Sequence, residues 1–313
     1  MRTIRKYFCF FILGFPYAIY AHDPYPAINE PWLTGSLLAQ ADVNNAPGDF
    51  TLNSGLYYIE NNATPSLHST TPTLAYTLGL TKRLDAGLTI PYVFNNAGNA
   101  SYNSFQDIQL TLGIQAVESA DNVALPKIRI LLQETFPTGQ FEHLNPALSG
   151  ADATGTGSYQ TAIGASIGQL YRLSHGKFLH AILNLIYTAP AAVNVSGFNA
   201  YGGDFATMGT VHPGNSFFTD LSFEYTLTQH VALAMDSTYT TTGSSTFNGN
   251  PGLVGVDAPN SETAALAPSL EYNFSPGVGV SAGAWFSVYT HNTNQFVAGV
   301  VSFNYSYNHI KES

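Results

Sequence analysis

Residues 73–94, TLAYTLGLTKRLDAGLTIPYVF, alternate twice. On the first arm Leu74, Tyr76, Leu78 and Leu80 are interleaved with Thr73, Ala75, Thr77 and Gly79. On the second, Ala86, Leu88, Ile90, Tyr92 and Phe94 are interleaved with Gly87, Thr89, Pro91 and Val93. A period of two marks a strand, because successive side chains point to opposite faces. The polar turn Lys82, Arg83, Leu84 and Asp85 makes the stretch a hairpin. Setting Leu80 against Ala86, Leu78 against Leu88, Tyr76 against Ile90 and Leu74 against Tyr92 puts every larger apolar residue on one face. The other face carries Thr, Ala and Gly. It is poorly made for packing a second sheet and better suited to a water-filled interior.

The same rhythm returns along the chain. Strands are expected near residues 50–61, 73–80, 86–94, 105–117, 127–136, 158–171, 178–188, 217–227, 231–241, 264–274, 278–289 and 295–307, twelve in all. Ten or fourteen fit as well, since the sixth and tenth are weakly patterned. Connections near 82–85, 172–177, 228–230 and 275–277 are short, and 118–126 fairly short. Those at 62–72, 95–104, 137–157, 189–215 and 243–262 are longer, and only the last, near 290–294, breaks the alternation. Short turns on one rim and long loops on the other are the habit of outer-membrane barrels. Lys82, Arg83, Lys127, Arg172 and Lys177 all fall at or beside short turns, whereas the long loops carry Glu142, Asp152, Asp204, Asp257 and Glu262 without Lys or Arg.

Charged residues make up 10% of the chain, against roughly 25% in an ordinary soluble domain. A soluble sandwich would alternate too, but its outer face would carry Lys, Glu and Arg. Here the non-apolar face holds mainly Gly, Ala, Ser, Thr, Asn and Gln. An antiparallel all-β transmembrane barrel accounts for both faces and leaves no unpaired edge for hydrocarbon to meet.

Residues 1–21 read as a signal peptide: Arg2, Arg5 and Lys6 precede an apolar stretch at 7–20, too short for a membrane helix of roughly 20 residues. This places the protein in the outer membrane after export. Residues 22–48 are polar and Pro-rich: a periplasmic segment, a plug for the lumen, or a poorly ordered tail. The barrel is expected over 49–308, with a short tail at 309–313. The lone cysteine, Cys9, lies in the leader, which excludes disulfides and cysteine–metal chemistry from the mature chain. Without the leader's three basic residues the formal charge moves from −10 to about −13. Such an acidic chain without a basic patch excludes nucleic acid as a partner. The partners expected are membrane lipid, the barrel assembly machinery and small-molecule solutes.

On the strand parities, Asp107, Asp220, Glu224, Asp236 and Glu271 point into the lumen. They form either an acidic wall that favours cations or locally paired and hydrated side chains. Glu134 sits on the apolar parity, so it lies above the hydrocarbon, or a bulge turns it inward, or the strand runs differently there. Nine histidines are scattered without metal-ligand spacing, and no phosphate-binding or nucleophile-elbow motif occurs, so no cofactor, metal or catalytic residue is expected. A barrel lipase would need Ser and His together on the lipid side; Ser166 and His180 are on neighbouring strands but on the lumen parity.

Several pieces resemble a bacterial family of outer-membrane transporters named after the meta-pathway of phenol degradation. They are Pro31, Trp32, Leu33, Thr34 and Gly35; Tyr76 through Leu84 running into Ile90 and Pro91; Phe136, Pro137, Thr138 and Gly139; and Gly155 through Tyr159. The resemblance implies one outer-membrane barrel that passes small, aromatic or hydrophobic compounds, and it supplies no functional residues. Two readings therefore stand beside each other: a passive channel, and a plugged structural or surface-interaction barrel without conductance.

Overall fold

In the computed structural model, the residues described are 33, 36–38, 47–63, 66–117, 126–173, 177–253 and 255–307. The expected leader at 1–21, with Cys9, and the tail at 309–313 lie outside them.

Twelve strands close into an antiparallel barrel: β1 (Phe50–Asn61), β2 (Leu67–Gly79), β3 (Leu84–Ala97), β5 (Ile108–Val117), β6 (Lys127–Phe136), β7 (Gln160–Arg172), β8 (Phe178–Pro190), β11 (Ser216–Thr226), β12 (Val231–Thr242), β14 (Ser261–Ser275), β15 (Val278–His291) and β16 (Phe296–Tyr307). Each pairs with its neighbour in chain order, β1 pairs with β16, and β2 pairs with β3, so the sheet has no free edge. Among the described residues no helix is long and apolar enough to cross a membrane; the strands do the crossing.

The outer face is apolar all round, with Leu56, Leu74, Leu110, Leu132, Ile163, Leu221, Leu233 and Leu270 more than a third exposed. Exposure on that scale is untenable in water and normal against lipid. Aromatic rings gather at both rims. At the short-turn rim Phe50 stacks on Tyr307 with centroids 5.2 Å apart, and Tyr272 meets Phe274 edge-on at 4.9 Å. At the other rim Tyr92 lies edge-on to both Phe94 and Phe105. Rings at the two interfaces are the girdles of a membrane barrel.

The opening hairpin differs from the expected register. Leu78 faces Ala86, Tyr76 faces Leu88 and Leu74 faces Ile90, a slip of two residues. The turn is tighter than the polar run suggests, because the N–H groups of Leu80 and Thr81 both donate to the Leu84 carbonyl. A slip of two leaves every side chain on its own face, so the apolar pattern could not exclude it. Its consequence is that Asp85 enters the strand, opposite Gly79 and Gly113, and points inward.

Two further structures occupy stretches expected to be plain loops. β4 (Ala100–Phe105) extends the β3 hairpin above the barrel, and the strand breaks before β5 at Gln106 and Asp107. The break faces Pro91, which accepts from Gln106 N–H but has no N–H to return. β9 (Val193–Ser196), β10 (Met208–His212) and β13 (Thr246–Asn250) form a separate three-stranded sheet in the order β13-β10-β9. Its core of Val193, Val195, Val211 and Val256 packs against Phe141 and Tyr201, so the long loops make a folded cap.

Candidate functional site: the inner wall of the barrel

Strands β8, β11, β12 and β14 lie side by side, and their inward positions form one polar surface. On the β8–β11 ladder His180 faces Glu224 and Asn184 faces Asp220. On the next ladder Ser222 faces Asp236, and on the next Ala232 faces Glu271 and Ala234 faces Ser269. The period of two delivers these side chains to the lumen because Leu221, Phe223, Leu233, Leu270 and Tyr272, between them, face lipid.

The site residues expected from sequence are placed as follows. Asp220, Glu224, Asp236 and Glu271 are all fully buried on this inner wall. Glu224 Oε2 lies 2.8 Å from His180 Nδ1. Glu271 Oε1 accepts from Asn273 Nδ2 at 2.7 Å. Neither oxygen of Asp220 has a hydrogen-bond partner of ordinary geometry among the described residues. Asp107 is set apart, at the break between β4 and β5. Its carboxylate accepts from Gly139 N–H at 2.9 Å, Thr156 N–H at 2.8 Å and the Thr156 hydroxyl at 2.9 Å. Glycine is needed beside it: a Cβ on Gly155 would come 2.6 Å from Asp107 Oδ1.

Asp107 thus binds together the Phe136–Gly139 and Gly155–Tyr159 pieces that carry the family resemblance. The loop between them folds over the mouth, where Asn95 Nδ2 donates to Ala151 O at 2.8 Å and Tyr102 Oη to Gln140 Oε1 at 2.6 Å. Tyr201 in the cap donates to Thr156 O at 2.8 Å, and burial, followed by the Asp107 carboxylate, pushes its hydroxyl above the usual tyrosine range. Glu134, on the apolar parity, faces outward at the loop end of β6 and accepts from Thr161 Oγ1 at 2.7 Å.

Three features of the lumen escape a reading of parity alone. Arg129, 1% exposed, runs diagonally across Gly113 to pair with Asp85. A side chain on Gly113 would overlap the guanidinium. Second, Ser36 donates to Asp236, in the middle of β12. Third, Leu37, 4% exposed, is buried among Tyr57, Trp285, Phe296 and small residues of β14 and β16. Part of the segment at 22–48 therefore lies inside the barrel. The alternation marks none of the three: it sets Asp85 in the turn, and it does not encode contacts across the lumen.

Ser166 and His180 both face inward, but Ser166 stands opposite Asn184 and His180 opposite Leu170. Among the described residues no group of three His, Asp or Glu is placed to hold a metal ion.

Residues 41–305 match the sequence pattern of a family described as "Putative MetA-pathway of phenol degradation". A search of curated proteins finds no match. Among solved structures, an outer membrane channel from Pseudomonas putida F1 is similar at a TM-score of 0.60 and 14% identity, covering 85% of this chain and 98% of that one. The NanC porin is similar at 0.48 and 11% identity, covering 81% and 98%. A TodX monoaromatic hydrocarbon channel mutant is similar at 0.43 and 12% identity, covering 91% and 99%.

Proposed function

The chain belongs to the family of the MetA-pathway of phenol degradation, and from that premise we propose that it is a passive outer-membrane channel for small molecules, closed in this conformation by its own N-terminal segment. The observation that carries this reading is the inner wall. Asp220, Glu224, Asp236 and Glu271 are fully buried on adjacent strands. Holding carboxylates within a membrane-spanning structure is costly unless water or a partner reaches them. These acids fit a route that hydrates when the lumen opens. Their sign favours cations and neutral solutes over anions. The family name points to aromatic compounds among the solutes. Passage is by diffusion, and no chemistry is asked of the wall. Phe303, Tyr305 and Tyr307, outward on β16, are the surface offered to lipid and to the assembly machinery.

A second reading rests on Ser36 and Leu37 inside the lumen: a barrel that stays plugged and acts only through its loops. Swelling of liposomes carrying the purified protein separates the two. The channel reading expects swelling in a small neutral solute above protein-free vesicles, and faster swelling when residues 22–48 are deleted. Background rates in the intact chain, with swelling only after the deletion, would leave the plugged barrel, and background rates in both forms would remove passage through the lumen altogether.

A further inference from the structure

The inner face is not polar throughout: Leu131, Ile182 and Ile186 are buried inward on β6 and β8, and across the lumen strands β1 and β14–β16 carry an apolar patch on which Leu37 rests. Tyr57 on β1, Ala265 and Ala267 on β14, Trp285 on β15, and Ala298 and Val300 on β16 form a single buried cluster. Inward positions elsewhere on these strands are polar: Thr51, Asn53, Ser269, Ser281 and Asn304. Inward apolar side chains add nothing to a wet lumen, and in this structure Leu37 sits on them. The fit is close. A Cβ on Gly283 would lie 2.3 Å from the Pro268 carbonyl oxygen and 2.7 Å from Leu37 Cδ1, so the neighbouring strand already requires glycine here and the leucine lies against the bare β15 backbone. The Trp285 and Phe296 rings meet edge-on at 4.6 Å, a corner that takes an alkyl group or an aromatic ring equally well.

Beside the patch is the tether. Ala267 and Asp236 are ladder partners, and Ser36 donates to Asp236 while Leu37 enters the patch. Two consecutive residues thus occupy a polar and an apolar position that lie next to each other on the wall.

We propose that this patch is a binding site for a small uncharged apolar solute, and that Leu37 is its tethered stand-in. The solute and Leu37 compete for the same position, so a solute that takes the patch frees Leu37 and draws Ser36 from Asp236. The proposal rests on the passage reading above and adds to it where the solute pauses and what it must displace.

The test uses the full barrel refolded in detergent micelles, with Trp32→Phe so that Trp285 is the single tryptophan, and bromobenzene as a quenching probe. Partition into the micelle gives a linear background, and a site gives a saturable component. Saturable quenching is expected in this parent. In Leu37→Ala the half-saturating concentration falls on the order of tenfold or more, since burial of a leucine no longer opposes the probe. Adding Ala267→Leu to Leu37→Ala fills the patch and removes the saturable component. Heat-modifiable migration on gels confirms that each variant is folded. An equal half-saturation with and without Leu37, or saturable quenching that survives Ala267→Leu, overturns the proposal. Liposome swelling on the same preparations keeps the two readings apart. Swelling without saturable quenching removes the pocket and leaves the channel; saturable quenching without swelling removes the channel and leaves the pocket.

Discussion

Asp236 accepts a hydrogen bond from Ser36, 200 positions before it in the chain. The contact ties a Pro-rich segment, readable from sequence as either a tail or a plug, to the middle of the barrel wall. A hydrogen bond to a charged group contributes about 1.5–3 kcal/mol. Ser36→Ala should therefore raise the time spent open about tenfold or more in single-channel records, with the single-channel conductance unchanged. Equal open times in both forms would show that Ser36 does not hold the segment in place.

The acidic wall gives a second expectation. Asp220→Asn with Glu224→Gln removes two carboxylates and keeps their volume. The reversal potential across a KCl gradient should move toward that of a non-selective pore. An unchanged potential would mean that ions do not pass this part of the wall.

Arg129 and Asp85 give a stability prediction. Arg129→Met leaves Asp85 buried without its cation and should cost about 3–5 kcal/mol; pairing it with Asp85→Leu should recover most of that loss. Gly113→Ala should resemble the single change, because its methyl group takes the place of the guanidinium. Urea unfolding in lipid vesicles measures all three. Additive losses in the double variant would contradict the pairing.

Asp107 offers a fourth. Asp107→Ala leaves three donors from Gly139 and Thr156 without their acceptor, at about 1–3 kcal/mol for each one that water does not reach. The barrel should still form while the loop over the mouth loosens. Limited proteolysis on whole cells should cut within 139–157 several times faster than in the parent, and equal rates would place the staple elsewhere.

How far the sequence could be read follows from what a period of two encodes. It separates faces, so the lipid side, the lumen side and the inward direction of Asp220, Glu224, Asp236 and Glu271 were legible. It does not encode register to better than two residues, because such a slip conserves faces. The Leu78–Ala86 pairing and the entry of Asp85 into β3 were settled by two turn hydrogen bonds instead. β4 and the β9–β10–β13 sheet were read as loop because their strands have 4 to 6 residues, too short to show a rhythm among Gly, Asn and Thr. Leu37 left no local mark: its place depends on Gly283 and Ala267, more than two hundred residues away.

Planar-bilayer conductance of the folded protein at neutral pH tests the central claim most directly, with and without residues 22–48. The account predicts cation-preferring steps that are rare in the intact chain and frequent after the deletion. Silence in both forms would contradict it and leave a barrel that passes nothing through its lumen.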